Sequence, residues 1–459
     1  VVRASAVAER LGVPTVSIVC EGFVGQAAST AAGLGMPKLP LASVPGHVDV
    51  QGEDELRRNV LAVTLDGVVK GLTVDPPAAG DEHEPAPADV VYEGTFDDVN
   101  RVFQEREWSD GLPIVPPTVE RVQAFLAFTD RTPDDSLGVM LPDKRSATVW
   151  SAAVNGVMAG CRPETMPVLL AIVEAMADPG YGVEHSGDTT GAEMLVILNG
   201  PIARQLGFNA GQGALRDGVP ANTTVGRFCR LYQRNVAGFL PGRTDKGTFG
   251  GTWRVVLAEH EDALARIGWP SLAAERGVAP GDSAVTVGRY TTGATIGCAV
   301  ATDLTRLVAY LADGLVKHAG WELVFTVWRG ATLRPLLVLS PILAEAFSRA
   351  GWSKDGLRRR LFEAARLPAQ QLERYVGEWT RLVPGDPRLA DLVKAGELDP
   401  VFAESDDPGR LVPLVARAED LMVVVSGDPL RTNAYTFVSN GMHGFPTTKT
   451  VRLPAHWPR

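Results

Sequence analysis

Residues 194–208, MLVILNGPIARQLGF, set five consecutive apolar side chains against a glycine and a proline. The apolar run lacks polar alternation and is too short for a buried helix. It reads as a strand covered on both faces. Pro201 follows at the first position of a helix, where its missing N–H costs little. Residues 335–352, PLLVLSPILAEAFSRAGW, repeat the order: apolar strand, Pro341, helix. Upstream of the first copy stand Gly160-Cys161 and a helix through MPVLLAIVEAMAD (166–178). Upstream of the second stand Gly297-Cys298 and a helix through LTRLVAYLADGLVKHAG (304–320). A further strand of the same type, DLMVVVSGDP, lies at 420–429. The pattern predicts two related α/β halves, residues 92–290 and 291–459, with a chance likeness of two strand–helix units as the competing explanation.

Toward the N-terminus, residues 1–73 read helix, strand, helix, strand, helix. The segments are SAVAERLG, TVSIVCEGF, GQAASTAAGLGMP, PLASVP and EDELRRNVLAVTLDGVVKGL. An α/β layer of this kind normally opens with a strand whose following loop carries the chemistry. Val1 and Val2 lead straight into the first helix, so that strand and loop are expected ahead of Val1. Residues 74–91, VDPPAAGDEHEPAPADVV, are rich in Pro, Ala and acid without apolar period, and read as an extended linker. His83 within it has no second ligand at metal-binding spacing. Beyond it come a helix, FDDVNRVFQERE (96–107), and a stretch, WSDGLPIVPPTVERV (108–122), whose prolines forbid regular structure. The expected fold class is α/β: a small parallel-sheet N-terminal domain, then a larger, internally duplicated α/β domain.

Composition removes several classes of function. The 459 residues carry 54 acidic against 44 basic side chains, a net charge of −10, which disfavours nucleic acid or an anionic membrane as main partner. No apolar run reaches the roughly 18 residues of a membrane-spanning helix. The four cysteines, Cys20, Cys161, Cys229 and Cys298, are far apart, with neither a CxxC pair nor zinc-ligand spacing. That usage suits a reducing cytoplasm, and no metal or cofactor is named by the residues. A homo-oligomer is the default expectation for a soluble enzyme of this size.

The segment VVRASAVAERLGVPTVSIVCEGFVGQAASTAAGLGMPKLPLASVPGHV (1–48) resembles the back part of the UGSC-type (seleno)protein domain. That family is named for a selenocysteine- or cysteine-Gly-Ser-Cys motif just upstream of such a helix. NGVMAGCRPETMPV, LVILNGPIARQLGFNAGQGAL, NTTVGRFCRLYQRNVAG, ERGVAPGDSAVTV and MVVVSGDPLRTNAYTF resemble the large domain often joined to it. The resemblance implies thiol or selenol redox chemistry, with a thiol reductant as partner. The naming motif itself is not among residues 1–459.

Among the residues present, Cys20 closes the strand TVSIVC, at the edge where α/β ligands bind. It reads as a reactive thiol or as a small buried hydrophobe. Cys161 precedes Arg162 and a helix start, both of which favour a thiolate, with a packed structural thiol as the alternative. Cys298 is placed to face Cys161 across the duplication. The loop YGVEHSGDTTGAE (181–193) gathers Glu184, His185, Asp188, Thr189 and Thr190, and His185 with a nearby carboxylate, read as Asp188, forms a candidate proton-transfer pair. Asn209, Gly211 and Gly213, in FNAGQGALRDG, form a glycine-rich turn able to bring backbone N–H groups to an anion, or a simple turn. Arg227, Arg230 and Arg234 share one helix face, facing either a ligand or solvent, and the resemblance favours Arg227 as the inward one. Asn222 is a candidate N-cap for that helix. Near the C-terminus Arg431 is a candidate binding residue, while His443, between glycines, lacks a second ligand.

These residues support three expectations. The first is an oxidoreductase in which a thiolate or selenolate attacks a small-molecule substrate and a second sulfur resolves the intermediate. The second is a non-redox lyase or hydrolase of a small carboxylate using His185 and Asp188. The third is a non-catalytic subunit of a redox complex.

Overall fold

The computed structural model describes residues 1–73, 86, 88–142, 144–297, 302–327, 330, 333–380, 382–383, 385–405, 407, 409–439, 441 and 444–457. His83, Cys298 and His443 lie outside the described residues. The chain divides into two compact units: residues 1–166, 183–191 and 228–249 form one, and residues 167–182, 192–227 and 250–459 the other. These units cut the chain differently from the boundaries at 73, 91 and 290. Among the described residues no helix is long and apolar enough to cross a membrane.

The first unit opens with α1 (Val2–Arg10), β1 (Ser17–Cys20), α2 (Val24–Gly33) and β2 (Leu41–Val44). β1 and β2 pair in parallel, Ser17 with Leu41 through Cys20 with Val44. Their helices enclose only a small core of Val2, Ala6, Ala27, Ala31 and Leu39. α3 (Glu53–Asn59) and α4 (Leu65–Thr73) are one helix interrupted by a π-type turn over Val60–Thr64. Within that turn Thr64 Oγ1 donates to Ser43 O at 2.9 Å and ties the helix to β2. α5 (Phe96–Glu105) starts at a capping box made by Thr95 and Asp98. α6 (Val119–Leu126) and the antiparallel pair β3 (Ser136–Met140) and β4 (Arg145–Thr148) lead to α7 (Val149–Ala159). Gly160 ends α7 in the left-handed region, φ 80°, where glycine has no steric penalty.

The second unit takes in most of α8 (Met166–Ala177) and is built on a seven-stranded sheet. β5 (Glu193–Asn199) is buried at every position, as its unbroken apolar run predicts. It leads through Gly200 into α9 (Pro201–Gln205), with Pro201 at the first helical position. α10 (Pro220–Asn235), β6 (Val256–Ala258), α11 (Glu261–Ile267), α12 (Leu272–Glu275) and β7 (Ala284–Ile296) follow. The second strand–proline–helix unit comprises α13 (Leu304–Ala319), α14 (Val324–Val327), β8 (Leu336–Leu339), α15 (Pro341–Arg349) and α16 (Lys354–Ala364). A small pair, β9 (Arg366–Pro368) and β10 (Leu411–Pro413), precedes β11 (Met422–Val425), β12 (Ala434–Ser439) and β13 (Thr447–Thr450).

Strand order is β11-β8-β12-β7-β5-β6, with β13 also on β7. The order reads the same from either edge once β5, β6 and β7 are exchanged for β8, β11 and β12. Each half has one parallel pair, β5 with β6 or β8 with β11, and one antiparallel return strand. This is the strand order that two related halves would give. β7 runs unbroken through residues 290 and 291, because its first half pairs with β5 and its second half with β12. A cut between halves at that point falls inside a strand.

The sheet curls until its edge strands meet. His260 N–H donates to Val425 O at 2.7 Å, and Ser426 Oγ donates to Ala258 O at 2.8 Å. Side chains sort by the two-residue period of strands. Leu195, Ile197, Leu257, Tyr290, Leu336, Val338, Met422, Val424 and Phe437 fill the inside of the curl. Leu337, Leu339, Val423 and Val425 point outward into a larger core with Leu311, Leu315, Leu343, Phe347, Leu357 and Leu361 from α13, α15 and α16. Both faces are therefore dry, and truncating one such leucine to alanine typically costs about 2–5 kcal/mol.

Candidate functional site

Among the described residues, one place in each unit brings candidate chemistry-bearing side chains together. The first is the carboxyl edge of the small parallel sheet. β1 ends at Cys20, a half-buried thiol, and turns through Glu21–Phe23 into α2. The Glu21 carboxylate accepts the Gly46 N–H at 3.3 Å, so it braces the loop after β2. α1 runs antiparallel to β1, which brings its first turn to the same edge. There Arg3 Nη2 stands 3.6 Å from Glu184 Oε1, and Glu184 Oε1 stands 3.9 Å from His185 Nε2. At the start of α2 a Cβ on Gly25 would lie 3.0 Å from Arg243 O. The 183–191 loop and the 240–245 loop are thus set against the edge that carries Cys20.

The 183–191 loop is held by its own polar groups. Asp188 Oδ1 accepts from Thr190 Oγ1 at 2.8 Å and from Gly191 N–H at 2.9 Å. Thr189 O accepts both the N–H and the hydroxyl of Thr248 at 3.0 Å. Gly187 leaves no space for a side chain, since a Cβ would meet Thr244 O at 2.2 Å. Asp188, Thr189 and Thr190 therefore shape the loop. The geometry sets the Glu184 carboxylate beside His185.

The arginine stripe is half-buried rather than solvated. Arg230 Nη2 pairs with Asp245 Oδ2 at 2.7 Å, and Arg234 Nε donates to Glu107 O at 2.7 Å. Cys161 is buried after the left-handed Gly160, its N–H bonded to Gly156 O at 3.0 Å, and Cys229 is core on α10. Arg227, Asn209, Gly211, Gly213 and Arg431 belong to the other unit. Arg431 is exposed, with Nη1 on Leu430 O at 3.3 Å.

The second place is a cleft of about 810 Å³ at the carboxyl ends of the parallel strands β5 and β6, wholly within the second unit. Such sheet ends are where open α/β layers bind ligands. Asn209 and Gly211 line it, while Gly213 is not among the lining residues. The Asn209 side chain serves its own turn: Nδ2 donates to Gln212 O at 2.9 Å and Oδ1 accepts Gly211 N–H at 2.9 Å. Asn222, expected as an N-cap, lies inside α10 instead. It clamps this turn by accepting Asn209 N–H at 2.8 Å and donating to Asn209 O at 3.0 Å and Val256 O at 2.8 Å.

The acidic wall of the cleft was not foreseen. Glu259, the first residue after β6, accepts from Asn199 Nδ2 at 2.7 Å, Leu272 N–H at 2.8 Å and Val425 N–H at 3.1 Å. The buried Lys354 Nζ lies 3.8 Å from Glu259 and 3.0 Å from Glu275. Burial pushes the Glu259 carboxyl above its usual range, while Lys354 and these hydrogen bonds pull it back. Glu261 Oε1 accepts from Asn199 Nδ2 at 3.0 Å and Gly200 N–H at 2.9 Å. Gly200 has φ 93° and no room for a Cβ, which would meet Ser283 Cα at 2.5 Å. The signal was available in residues 256–262, VLAEHED, where carboxylates follow a buried strand directly.

Comparison with known proteins bears on the segment that holds the first of these places. No curated protein and no solved structure matches the chain. Residues 1–74 match the model of the UGSC family. This matched segment folds into β1, β2 and their helices.

Proposed function

We propose that the protein is a thiol- or selenol-dependent oxidoreductase acting on a small molecule. The observation that supports this reading is the contact between the family segment and the loop that carries His185: Arg3, at the start of α1, meets Glu184, which neighbours His185. The family resemblance puts the Cys/Sec-Gly-Ser-Cys motif just ahead of a helix like α1, and so beside this pair. In the proposed cycle the thiolate or selenolate attacks a two-electron-reducible bond between heteroatoms. One fragment leaves with the bonding electrons and takes a proton from His185, while the other stays bonded to the attacking atom. A second thiol displaces that fragment in reduced form and leaves an enzyme S–S or Se–S bond, which a dithiol reductant returns to the starting state. Cys20, half-buried at the same edge, is the described thiol best placed to resolve the intermediate.

The test uses the protein with whatever its gene encodes ahead of Val1. Dithiol-dependent reduction of model disulfides and peroxides is measured before and after alkylation with iodoacetamide. Alkylation is expected to abolish turnover. His185→Ala is expected to lower kcat by about 10²-fold or more, with loss of one limb of the pH–rate profile. A gene that encodes no Cys or Sec in that segment overturns the reading. So does turnover that survives full alkylation, and if such turnover also depends on His185 it points to non-redox proton transfer.

A further inference from the structure

We propose that the outer face of the α3–α4 helix is a two-fold interface, occupied by the same helix of a second copy of this chain. The inference stands apart from the redox reading, since its test reads mass rather than turnover.

The inner face of this helix is fixed by close contacts. Thr64 Oγ1 bonds Ser43 O, a Cβ on Gly67 would lie 3.2 Å from Ala42 Cβ, and one on Gly71 would lie 2.7 Å from Val16 Cγ2. Positions three and four apart share a helix face, so Thr64, Gly67 and Gly71 turn inward together. The apolar side chains on the other side are left bare. Leu61, Leu65, Val69 and Leu72 are each between 49% and 59% exposed. Leu61, Leu65 and Val69 stand four apart and form one ridge, with Leu72 beside its end. Single exposed apolar residues are ordinary, whereas a contiguous row marks an interaction surface.

The occupant is read from the adjacent ridge. Asp54, Arg58, Ala62, Asp66 and Lys70 also stand four apart, and all five are exposed. Their charges run minus, plus, none, minus, plus. In an antiparallel two-fold pair each residue meets the one equally far beyond the axis. With the axis at Ala62, Arg58 meets Asp66 of the partner subunit and Asp54 meets Lys70 of the partner subunit. The row is therefore complementary to its own reverse, and one register satisfies every charge on it. Within one chain Lys70 Nζ pairs with Asp66 Oδ2 at 2.7 Å, whereas Asp54 and Arg58 make no ion pair among the described residues. The second copy supplies both missing partners.

Size and spacing agree with this occupant. The helix from Glu53 to Thr73 is roughly 30 Å long, and Ala62 lies near its middle, so the overlap is nearly complete. The small Ala62 side chain falls where the two helices are closest, and side chains at the contact set the spacing of helix axes. Two helices packed over that length bury on the order of 1,000 Å², the lower end for a specific interface, so the dimer should dissociate on dilution.

Sedimentation equilibrium of the full chain, over about a hundredfold range of concentration, should show the 48.9 kDa chain in reversible equilibrium with a dimer. Leu65→Asp and Arg58→Glu change exposed side chains, are expected to fold, and should each weaken the dimer about tenfold or more. Combining Arg58→Glu with Asp66→Arg re-forms the pair with opposite polarity and should recover most of the Arg58→Glu loss. Ala62→Cys should give a covalent dimer under mild oxidation, with the two copies joined at position 62 by peptide mass spectrometry. The proposal fails if the folded chain stays monomeric over that range, or if Leu65→Asp and Arg58→Glu both associate as the parental chain does. It also fails if the charge reversal recovers nothing, or if oxidised Ala62→Cys dimers are not joined at position 62.

Discussion

Tyr290 shows what a single residue costs when packing, not polarity, decides its place. It is fully buried inside the curled sheet beside Phe437, and its hydroxyl has no hydrogen-bond partner. Burial pushes the phenol well above its ordinary pKa, so it stays neutral and uncompensated. Tyr290→Phe removes the orphaned group and keeps the ring. The expected result is a gain of about 1 kcal/mol, read as a higher urea midpoint at unchanged slope. A loss of similar size would mean that the hydroxyl is satisfied in solution. Nothing in GRYTTG distinguishes this tyrosine from an exposed one, because the inside of the curl exists only after six strands meet. Asn222 gives the same lesson: its residue type suggested a cap, and tertiary contact with the 209–211 turn made it a clamp.

At the scale of elements, β13 shows how a late strand is fastened. It pairs with β7, its Thr448 hydroxyl meets Thr286 Oγ1 at 2.9 Å, and Lys449 Nζ meets Asp178 Oδ2 at 2.7 Å just after α8. The hydrogen bond from Lys449, with a second from Gly180 N–H, holds the Asp178 carboxyl below its usual value of 3.8. A depressed folded-state pKa means that the stabilisation is complete above that value and is lost as pH falls through and below it. Both side chains are about one-third exposed, so solvent screening limits the pair to roughly 1 kcal/mol or less. Lys449→Met should lower stability by that amount at pH 7, and urea melts should show the difference vanishing near pH 2. A constant difference across that range would assign the effect to β13 packing instead. Element identity was legible: MLVILN, PLLVL and MVVV are strands because each is a bounded apolar run, and Pro201 and Pro341 open helices. The three-residue β6 was not legible, since it is defined by its neighbour β5 rather than by its own pattern.

Across the whole molecule, stability should be uneven. The β1–β2 layer has two short strands over five small core residues, whereas β5, β7, β8 and β12 lie between two dry cores. Two-stranded sheets are marginal by themselves. Amide hydrogen exchange should therefore show β1 and β2 opening well before those central strands, which should exchange only with global unfolding of their unit. Equal protection in both would contradict this. The sequence by itself determined what depends on local pattern. It showed an α/β chain, a small N-terminal layer and two strand–proline–helix repeats, because apolar period, proline and glycine act over a few residues. Only the tertiary structure decided that Asn209 and Gly211 line an acidic cleft, and that Glu259 and Glu261 stand on its wall with Asn199 bonded to both. Those relations join residues up to 166 positions apart, as between Glu259 and Val425, and arise from sheet closure, which no local pattern encodes.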